Sequence, residues 1–187
     1  MSLRFFYALL LLAVSTSAQA DAVDINLRDK SAQLQYFASV GRDSLGTSDL
    51  HMGILYTKDN DRMVDFGLLV KGAAGSYDSG LSAGVGLKAL VASVNHNDAV
   101  ALALGGLVRY SPPPIPRLGI VGQLYFSPNI VTYRDAERFT ESGVRVEYEV
   151  IPQALAYVGY RRVSFNIIGK PLDVLDNGFH VGVRMSF

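Results

Sequence analysis

The chain has 187 residues with 17 basic and 17 acidic side chains, so its formal net charge at neutral pH is zero. Without a basic excess, we expect no nucleic-acid partner. Cysteine is absent and the three histidines are far apart in the sequence, so we predict neither disulfides nor a metal centre. We expect no cofactor.

Residues 1–20 have the pattern of a secretory signal peptide. Arg4 gives a positive start, residues 5–14 form an apolar core, and Ala18 and Ala20 frame a cleavage site of small residues. An apolar core of this length is too short for a helical membrane span, which needs about 20 residues. The sequence therefore predicts export, cleavage after Ala20, and one mature domain over residues 21–187.

Most of the mature chain alternates apolar and polar residues, which is the period of a β-strand. Stretches rich in charge, glycine or proline interrupt the alternation and predict turns or loops. The predicted strands are, in chain order, 23–28, 34–40, 50–56, 64–70, 81–91, 100–110, 118–126, 144–150, 154–163 and 177–187. The predicted connections are 29–31, 42–48, 58–62, 73–79, 93–98, 111–116, 127–141, 151–153 and 164–176. No apolar run is long enough to predict a membrane helix.

The last predicted strand has apolar side chains at every second position up to the final residue. One apolar face, one small or polar face and a terminal aromatic residue are typical of a membrane barrel, where lipid-facing and lumen-facing side chains alternate. The strand also resembles the C-terminal signature that bacterial outer-membrane barrels present to their assembly machinery. We therefore expect outer-membrane lipid and that machinery as partners. The outward and signal positions are Phe179, Val181, Val183, Met185 and Phe187.

Together, these strands predict an all-β protein, a single antiparallel, up-and-down transmembrane β-barrel in the cell outer membrane. Such barrels have an even number of strands and keep both termini on the periplasmic side. The predicted connections from 42–48 to the C-terminus separate nine strands. Because the number of strands must be even, residues 23–28 are required as a tenth strand. A barrel of eight strands is the alternative, reached if residues 23–28 stay unpaired and one predicted turn is a bulge.

Several strand segments resemble the YfaZ family of Gram-negative outer-membrane proteins, and the likeness covers most of the mature chain. The segments that carry it are Val23-Asp24-Ile25-Asn26-Leu27, Leu50-His51-Met52-Gly53-Ile54-Leu55-Tyr56, Tyr125-Phe126-Ser127-Pro128, Arg145-Val146-Glu147-Tyr148-Glu149, Tyr157-Val158-Gly159-Tyr160-Arg161 and Gly178-Phe179-His180-Val181-Gly182-Val183. The resemblance implies a small outer-membrane barrel. Because these motifs are strand patterns and the family offers no catalytic set, it implies no site residue.

Charged side chains of both signs point into the predicted barrel. Opposite charges inside a narrow barrel can pair and fill it, so we favour a structural role for them. Asp65 and Lys88 are expected to be close on neighbouring strands. A large open pore is not predicted, and limited passage of small polar solutes is the alternative. The predicted lumen cluster is Asp65, Lys88, Arg145, Glu147, Glu149 and Arg184, with Lys71, Ser82 and His180 on the same face.

The sequence predicts no catalytic site. A hydrolase needs a nucleophile or an activated water beside an oriented base, and the candidate bases are His51, His96 and His180. None of them has a serine two residues away, as outer-membrane lipid A deacylases do. We therefore expect a monomeric barrel with an envelope-structural or interaction role. The alternatives are a lipid-modifying enzyme and a soluble periplasmic barrel that binds an apolar ligand.

Overall fold

The computed structural model describes residues 22–42, 46–75, 79–94, 97–134, 136–167 and 173–187. The predicted signal peptide and His96 lie outside these residues. Within the described part of the chain, no helix is long and apolar enough to cross a bilayer. The strands are β1 (Ala22–Leu27), β2 (Ser31–Arg42), β3 (Thr47–Thr57), β4 (Arg62–Ala73), β5 (Leu81–Val94), β6 (Asn97–Tyr110), β7 (Leu118–Ser127), β8 (Thr132–Arg134), β9 (Ala136–Ile151), β10 (Ala154–Ile167) and β11 (Asp173–Ser186).

Ten of these strands close into one antiparallel barrel. Neighbours in the chain are neighbours in the sheet, β7 pairs with β9, and β1 pairs with β11 in the register Ala22↔Ser186 to Leu27↔Val181. The short β8 continues the pairing with β6 beyond the end of β7. The prediction of ten strands is confirmed, including the first strand, and the eight-stranded alternative is wrong.

Side chains alternate between an apolar outer surface and a mixed interior. On β4, Val64 is 48% and Phe66 is 55% exposed, whereas Met63 and Asp65 are each 1% exposed. Exposed apolar residues of this kind occur on all ten barrel strands. Because a closed barrel satisfies its backbone hydrogen bonds internally, such a surface is suited to contact lipid. The five C-terminal residues that were predicted to face outward all lie on it: Phe179, Val181, Val183, Met185 and Phe187.

The two ends of the barrel can be distinguished by the chain. Ala22 and Phe187 lie at one end, called here the terminus end, together with the connections at 111–117 and 152–153. The opposite end, called here the loop end, carries the connections at 28–30, 58–61 and 128–131, the last of which includes a short 3-10 turn, Asn129–Val131.

Two predicted loops at the loop end are largely strand. The sequence predicts a loop over 127–141, but β9 begins at Ala136. It also predicts a loop over 164–176, but β10 continues to Ile167 and β11 begins at Asp173. Their polar composition does not indicate solvation, because the inward-pointing charges are paired inside the barrel. Glu141 and Asp176 are 2% and 3% exposed.

Apolar side chains fill part of the interior toward the loop end. Phe139 and Phe165 pack with their ring centroids 5.0 Å apart, and small alanines of β5 and β6 are buried in the same cluster. Large and small residues together fill a narrow barrel. This cluster, called here the apolar plug, consists of Leu55, Met63, Leu90, Ala92, Val94, Ala99, Ala101, Ala103, Tyr125, Phe139, Val163, Phe165 and Leu175.

Candidate functional site

Polar and charged side chains from five strands meet next to the apolar plug. Lys88 Nζ lies 2.8 Å from Glu141 Oε2 and 3.9 Å from Asp65 Oδ1, and His51 Nε2 lies 3.4 Å from the same Asp65 oxygen. Gln123 Nε2 donates to the other oxygen of Glu141 at 3.1 Å. Because β6 and β7 separate β5 from β9 in the sheet, the Lys88–Glu141 pair bridges the lumen. These five residues are called here the central cluster.

Glycines opposite the large polar groups make space for the central cluster. Gly53 is the cross-strand partner of Asp65, and Gly67 is the partner of both His51 and Lys88. A Cβ atom at Gly53 would lie 2.6 Å from an Asp65 carboxylate oxygen, and one at Gly67 would clash with the His51 ring. Neither Asp65 oxygen accepts a hydrogen bond from a described residue, so ion pairing stabilises this carboxylate.

A second group of buried polar side chains lies where the first and last strands meet. Arg184 Nη2 is 2.7 Å from Asp24 Oδ2, and the Tyr157 hydroxyl donates to the other Asp24 oxygen. Asn26 Nδ2 donates to the Tyr157 hydroxyl at 3.2 Å. The Arg184 guanidinium also lies over the Phe37 ring, 4.5 Å from its centroid. This network connects β10, β11, β1 and β2 through the interior.

A third group surrounds Glu147, which is 1% exposed. Arg145 Nε donates to Glu147 Oε1 at 2.7 Å, and Arg109 pairs with the other carboxylate oxygen. Arg145 also lies over the Tyr157 ring at 5.2 Å, which joins this group to the second one. The two guanidinium groups offset part of the free energy that it costs to bury the Glu147 carboxylate.

A fourth group lies toward the loop end, beside the apolar plug. Arg161 Nη2 is 2.6 Å from Asp176 Oδ2, and Arg28 Nη1 is 2.7 Å from Asp176 Oδ1. Ser31 donates to the same Asp176 oxygen at 2.8 Å, and Arg161 also donates to Gln33. At this level the interior therefore holds ion-paired polar groups as well as the plug, and the plug members Val163 and Leu175 lie on the same strands as Arg161 and Asp176.

A cavity penetrates the polar interior from the terminus end. Its volume is about 260 Å³, and its lining runs from Arg42 and Ser186 at the terminus end to Lys88 and Glu141 in the central cluster. At the central cluster it meets the apolar plug, and a smaller cavity of about 20 Å³ beside Gln123 and Arg145 continues toward Arg161 and His180. Within the described ranges, no three His, Asp or Glu side chains converge as metal ligands would.

The structure distributes the predicted lumen residues over these groups. Asp65 and Lys88 lie in the central cluster, Arg145 and Glu147 in the third group, and Arg184 in the second. Glu149 is exposed beside the turn at 152–153 and belongs to none of the four groups.

The other inward predictions occupy separate places. Lys71 Nζ pairs with Asp49 Oδ2 at 2.5 Å and lines the cavity, whereas Ser82 is half-buried. His180 is 7% exposed and meets the Tyr157 ring edge-on, with the ring centroids 5.9 Å apart.

Sequence reasoning missed five buried charges among the described residues, namely Asp24, Asp49, Glu141, Arg161 and Asp176. The signal for Glu141 was present, because Glu141 continues the odd-numbered inward positions of Arg145 and Glu147 along β9. Asp176 likewise continues the even-numbered inward face of β11. Both residues lie in polar stretches that were predicted to be loops, so their inward positions were not recognised.

The sequence matches the family model described as "YfaZ precursor" over residues 2–187. No curated protein matches the chain. Among solved structures, it is similar to one described as "Unveiling the Mechanism Behind the in-meso Crystallization of Membrane Proteins", with a TM-score of 0.50, 12% identity and coverage of 90% of this chain and 83% of that chain. It is also similar to the translocator domain of autotransporter NalP from Neisseria meningitidis, with a TM-score of 0.40, 10% identity and coverage of 98% and 94%. At 12% identity, the first likeness concerns the fold alone.

Proposed function

The chain belongs to the YfaZ family, and on that premise we propose that it is an outer-membrane barrel with a closed lumen and an envelope-structural or interaction role. The apolar outer surface on every barrel strand supports a membrane location. A soluble barrel would expose this surface to water, where contiguous apolar patches of such extent are rare. Release by osmotic shock without detergent would contradict the membrane location.

The observation that carries the proposal is the apolar plug. Its members are at most 5% exposed and fill part of the interior toward the loop end, and ion-paired Arg161 and Asp176 occupy the interior beside it. The cavity on the terminus side is lined by Lys88 and Glu141 where it meets the central cluster. An aqueous path would have to cross the apolar plug or pass between the paired charges of Arg28, Arg161 and Asp176 beside it. Barrels with water-filled channels have about 16–18 strands, whereas interiors of about eight strands are filled by side chains.

Conductance in a planar bilayer tests the closed lumen. We expect the wild-type protein to give no stepwise conductance, and we expect the Phe139→Ala/Phe165→Ala variant to conduct because it removes both rings from the plug. A matched control is Phe126→Ala, which removes an outward-facing ring. Heat-modifiable gel mobility confirms that each variant is folded. Steady wild-type channels would overturn the proposal and favour limited passage of small solutes.

We also propose that the outer face of β11 serves the assembly machinery. Phe187 and Phe179 are 70% and 75% exposed, so these side chains are accessible for recognition. Replacing Phe187 with Ser is expected to lower the amount of assembled barrel in cells without changing the heat-modifiable mobility of the protein refolded in detergent. An unchanged cellular level would contradict this role.

The lipid-modifying alternative rests on the contact between His51 and Asp65 beside the cavity. Catalysis would also need a nucleophile or water within reach of the imidazole, and no described hydroxyl is hydrogen-bonded to His51. We therefore propose a non-enzymatic role. Altered lipid profiles in cells carrying His51→Gln would favour the enzyme instead, provided that the variant barrel assembles.

A further inference from the structure

The outer surface of β9 and β10 becomes polar near the loop end. Six side chains there line a groove of about 350 Å³ between the two strands. Direct cross-strand pairing of Arg138 with Asn166, Thr140 with Ser164, and Ser142 with Arg162 places them on one face. This groove, called here the β9–β10 groove, is lined by Arg138, Thr140, Ser142, Arg162, Ser164 and Asn166.

The same face of the same strands is apolar closer to the terminus end. Val144 and Val146 follow Ser142 on β9, and Val158 and Tyr160 precede Arg162 on β10. Val144 is 52% and Val158 is 51% exposed, as expected of lipid-facing positions. The groove therefore begins where the apolar belt ends.

Aromatic side chains lie at this boundary. The rings of Tyr160 and Phe179 meet edge-on with their centroids 5.3 Å apart, and the Arg138 guanidinium lies 5.7 Å from the centroid of the Phe126 ring. Aromatic girdles of membrane barrels lie at the interface between hydrocarbon and water. The groove is consequently at the level of the lipid headgroups rather than in bulk solvent.

The charged side chains that line the groove are both arginines. No carboxylate lines it, and neither Arg138 nor Arg162 forms an ion pair with a carboxylate of the described residues. The nearby Glu141 points into the barrel, where it pairs with Lys88. Arginine matches phosphate geometry and is less strongly hydrated than lysine, which favours phosphate as the ligand group.

The spacing of the two arginines indicates the kind of headgroup. Arg162 is paired with Ser142, so it is offset from Arg138 by four residues along the sheet, or about 13 Å at about 3.3 Å per residue. Two cations so far apart flank a headgroup and cannot both hold one phosphate closely. Thr140 lies between the levels of the two arginines, Ser142 lies opposite Arg162, and Asn166 lies opposite Arg138. Their hydroxyl and amide groups can hydrogen-bond to sugar groups.

We propose that the β9–β10 groove binds the headgroup of a bis-phosphorylated glycolipid in the leaflet at the loop end, with one arginine near each phosphate. This rests on the proposed outer-membrane location. The apolar belt below the groove would contact the acyl chains of the same lipid.

Native mass spectrometry of the full barrel in detergent, titrated with bis-phosphorylated lipid A, tests the proposal. Because a basic residue near an anionic lipid contributes roughly a fivefold change in affinity, we expect Arg138→Ala and Arg162→Ala each to weaken binding about fivefold and the double variant about 30-fold. The matched control is Arg62→Ala, which removes an exposed arginine at the loop end of β4, outside the groove.

The control and the ligand series separate the outcomes. We expect Arg62→Ala to bind within twofold of wild type, mono-phosphorylated lipid A to bind more weakly, and millimolar inorganic phosphate not to compete. The proposal would be overturned if all three arginine variants lost affinity equally, or if the double variant bound as tightly as wild type. It would also be overturned if the mono-phosphorylated lipid bound with equal affinity, or if free phosphate displaced the lipid. Bilayer conductance or detergent-free solubility of the same preparation would instead overturn the proposed function.

Discussion

The apolar plug and the central cluster fill neighbouring parts of one lumen by different physical means. In the plug, rings and alanines pack against each other, and Phe139 and Phe165 are 0% exposed. In the central cluster, each ionised group needs a partner of opposite charge at a set distance, such as Lys88 Nζ at 2.8 Å from Glu141. The cavity of about 260 Å³ lies on the charged side.

The difference teaches where a small barrel tolerates empty space. Apolar side chains attract at any close contact, so they can close a cross-section completely. Ion pairs require specific geometry and remain costly to desolvate, so a polar interior satisfies its groups and leaves room between them. We expect the two regions to respond differently to truncation.

The largest effect is expected when Lys88 is removed from the central cluster. Lys88→Met leaves Asp65 and Glu141 buried without their shared ammonium group, and breaking a buried ion pair on one side costs about 3–5 kcal/mol. Guanidinium unfolding of the barrel refolded in lipid measures the loss in the free energy of unfolding.

A triple variant separates charge from shape in that experiment. Lys88→Met/Asp65→Asn/Glu141→Gln keeps similar volumes but removes the buried charges, so we expect it to recover most of the stability lost in the single variant. If Lys88→Met lowered the free energy of unfolding by less than about 1 kcal/mol, the Lys88–Glu141 pair would contribute no more than a surface ion pair. That result would contradict a stabilising role for the buried pair.

Truncation of the plug is expected to cost slightly less. Phe139→Ala should destabilise the barrel by about 3 kcal/mol, the lower end for buried phenylalanine, because the cavity lies near an end that can partly relax. The matched variant Phe126→Ala faces outward, where lipid can occupy the vacated volume, so its loss in the same unfolding assay should be clearly smaller. Equal losses would mean that the Phe139 ring is not packed in a closed interior.

The hydrogen-bonded network at the β1–β11 closure should respond more weakly still. Tyr157→Phe removes the hydroxyl that donates to Asp24 and accepts from Asn26, while Arg184 still pairs with Asp24. A buried group that loses one partner costs about 1–3 kcal/mol.

Tyr160→Phe is the control for this hydroxyl. Its hydroxyl donates to Asn177 at 2.7 Å in an exposed position, where water can replace the lost partner, so the cost should stay under about 1 kcal/mol. If both variants lost the same free energy of unfolding, the buried hydrogen bonds of Tyr157 would contribute no more than the exposed hydrogen bond of Tyr160, which would contradict the prediction.

The barrel itself could be predicted because its signal is local. Alternation along β4 and β11 specifies which face meets lipid, and the parity of strands requires the short first strand. The interior facing of Asp65, Lys88 and Arg145 follows from the same alternation. These positions need no knowledge of which strands are opposite each other in the lumen.

The pairings across the lumen could not be predicted in that way. Lys88 and Glu141 are 53 residues apart, and Asp24 and Tyr157 are 133 apart. Both depend on barrel closure and register, which the alternation does not contain. Glu141 and Asp176 were further concealed because charged stretches resemble solvated loops, although the closed barrel supplies buried arginine or lysine partners.

The smallest effect is expected at the mouth of the cavity, and it tests whether burial or charge alone determines the cost. Lys71 Nζ pairs with Asp49 Oδ2 at 2.5 Å, but its side chain is 40% exposed, against 3% for Lys88. Lys71→Met should therefore cost about 0–1 kcal/mol, and 1 M salt should reduce the difference from wild type because solvent ions screen exposed pairs. The loss in Lys88→Met should persist in salt. Both lysines contact carboxylates and differ mainly in their access to water. If Lys71→Met lost as much stability as Lys88→Met, and salt did not reduce that loss, burial would not determine the strength of these ion pairs.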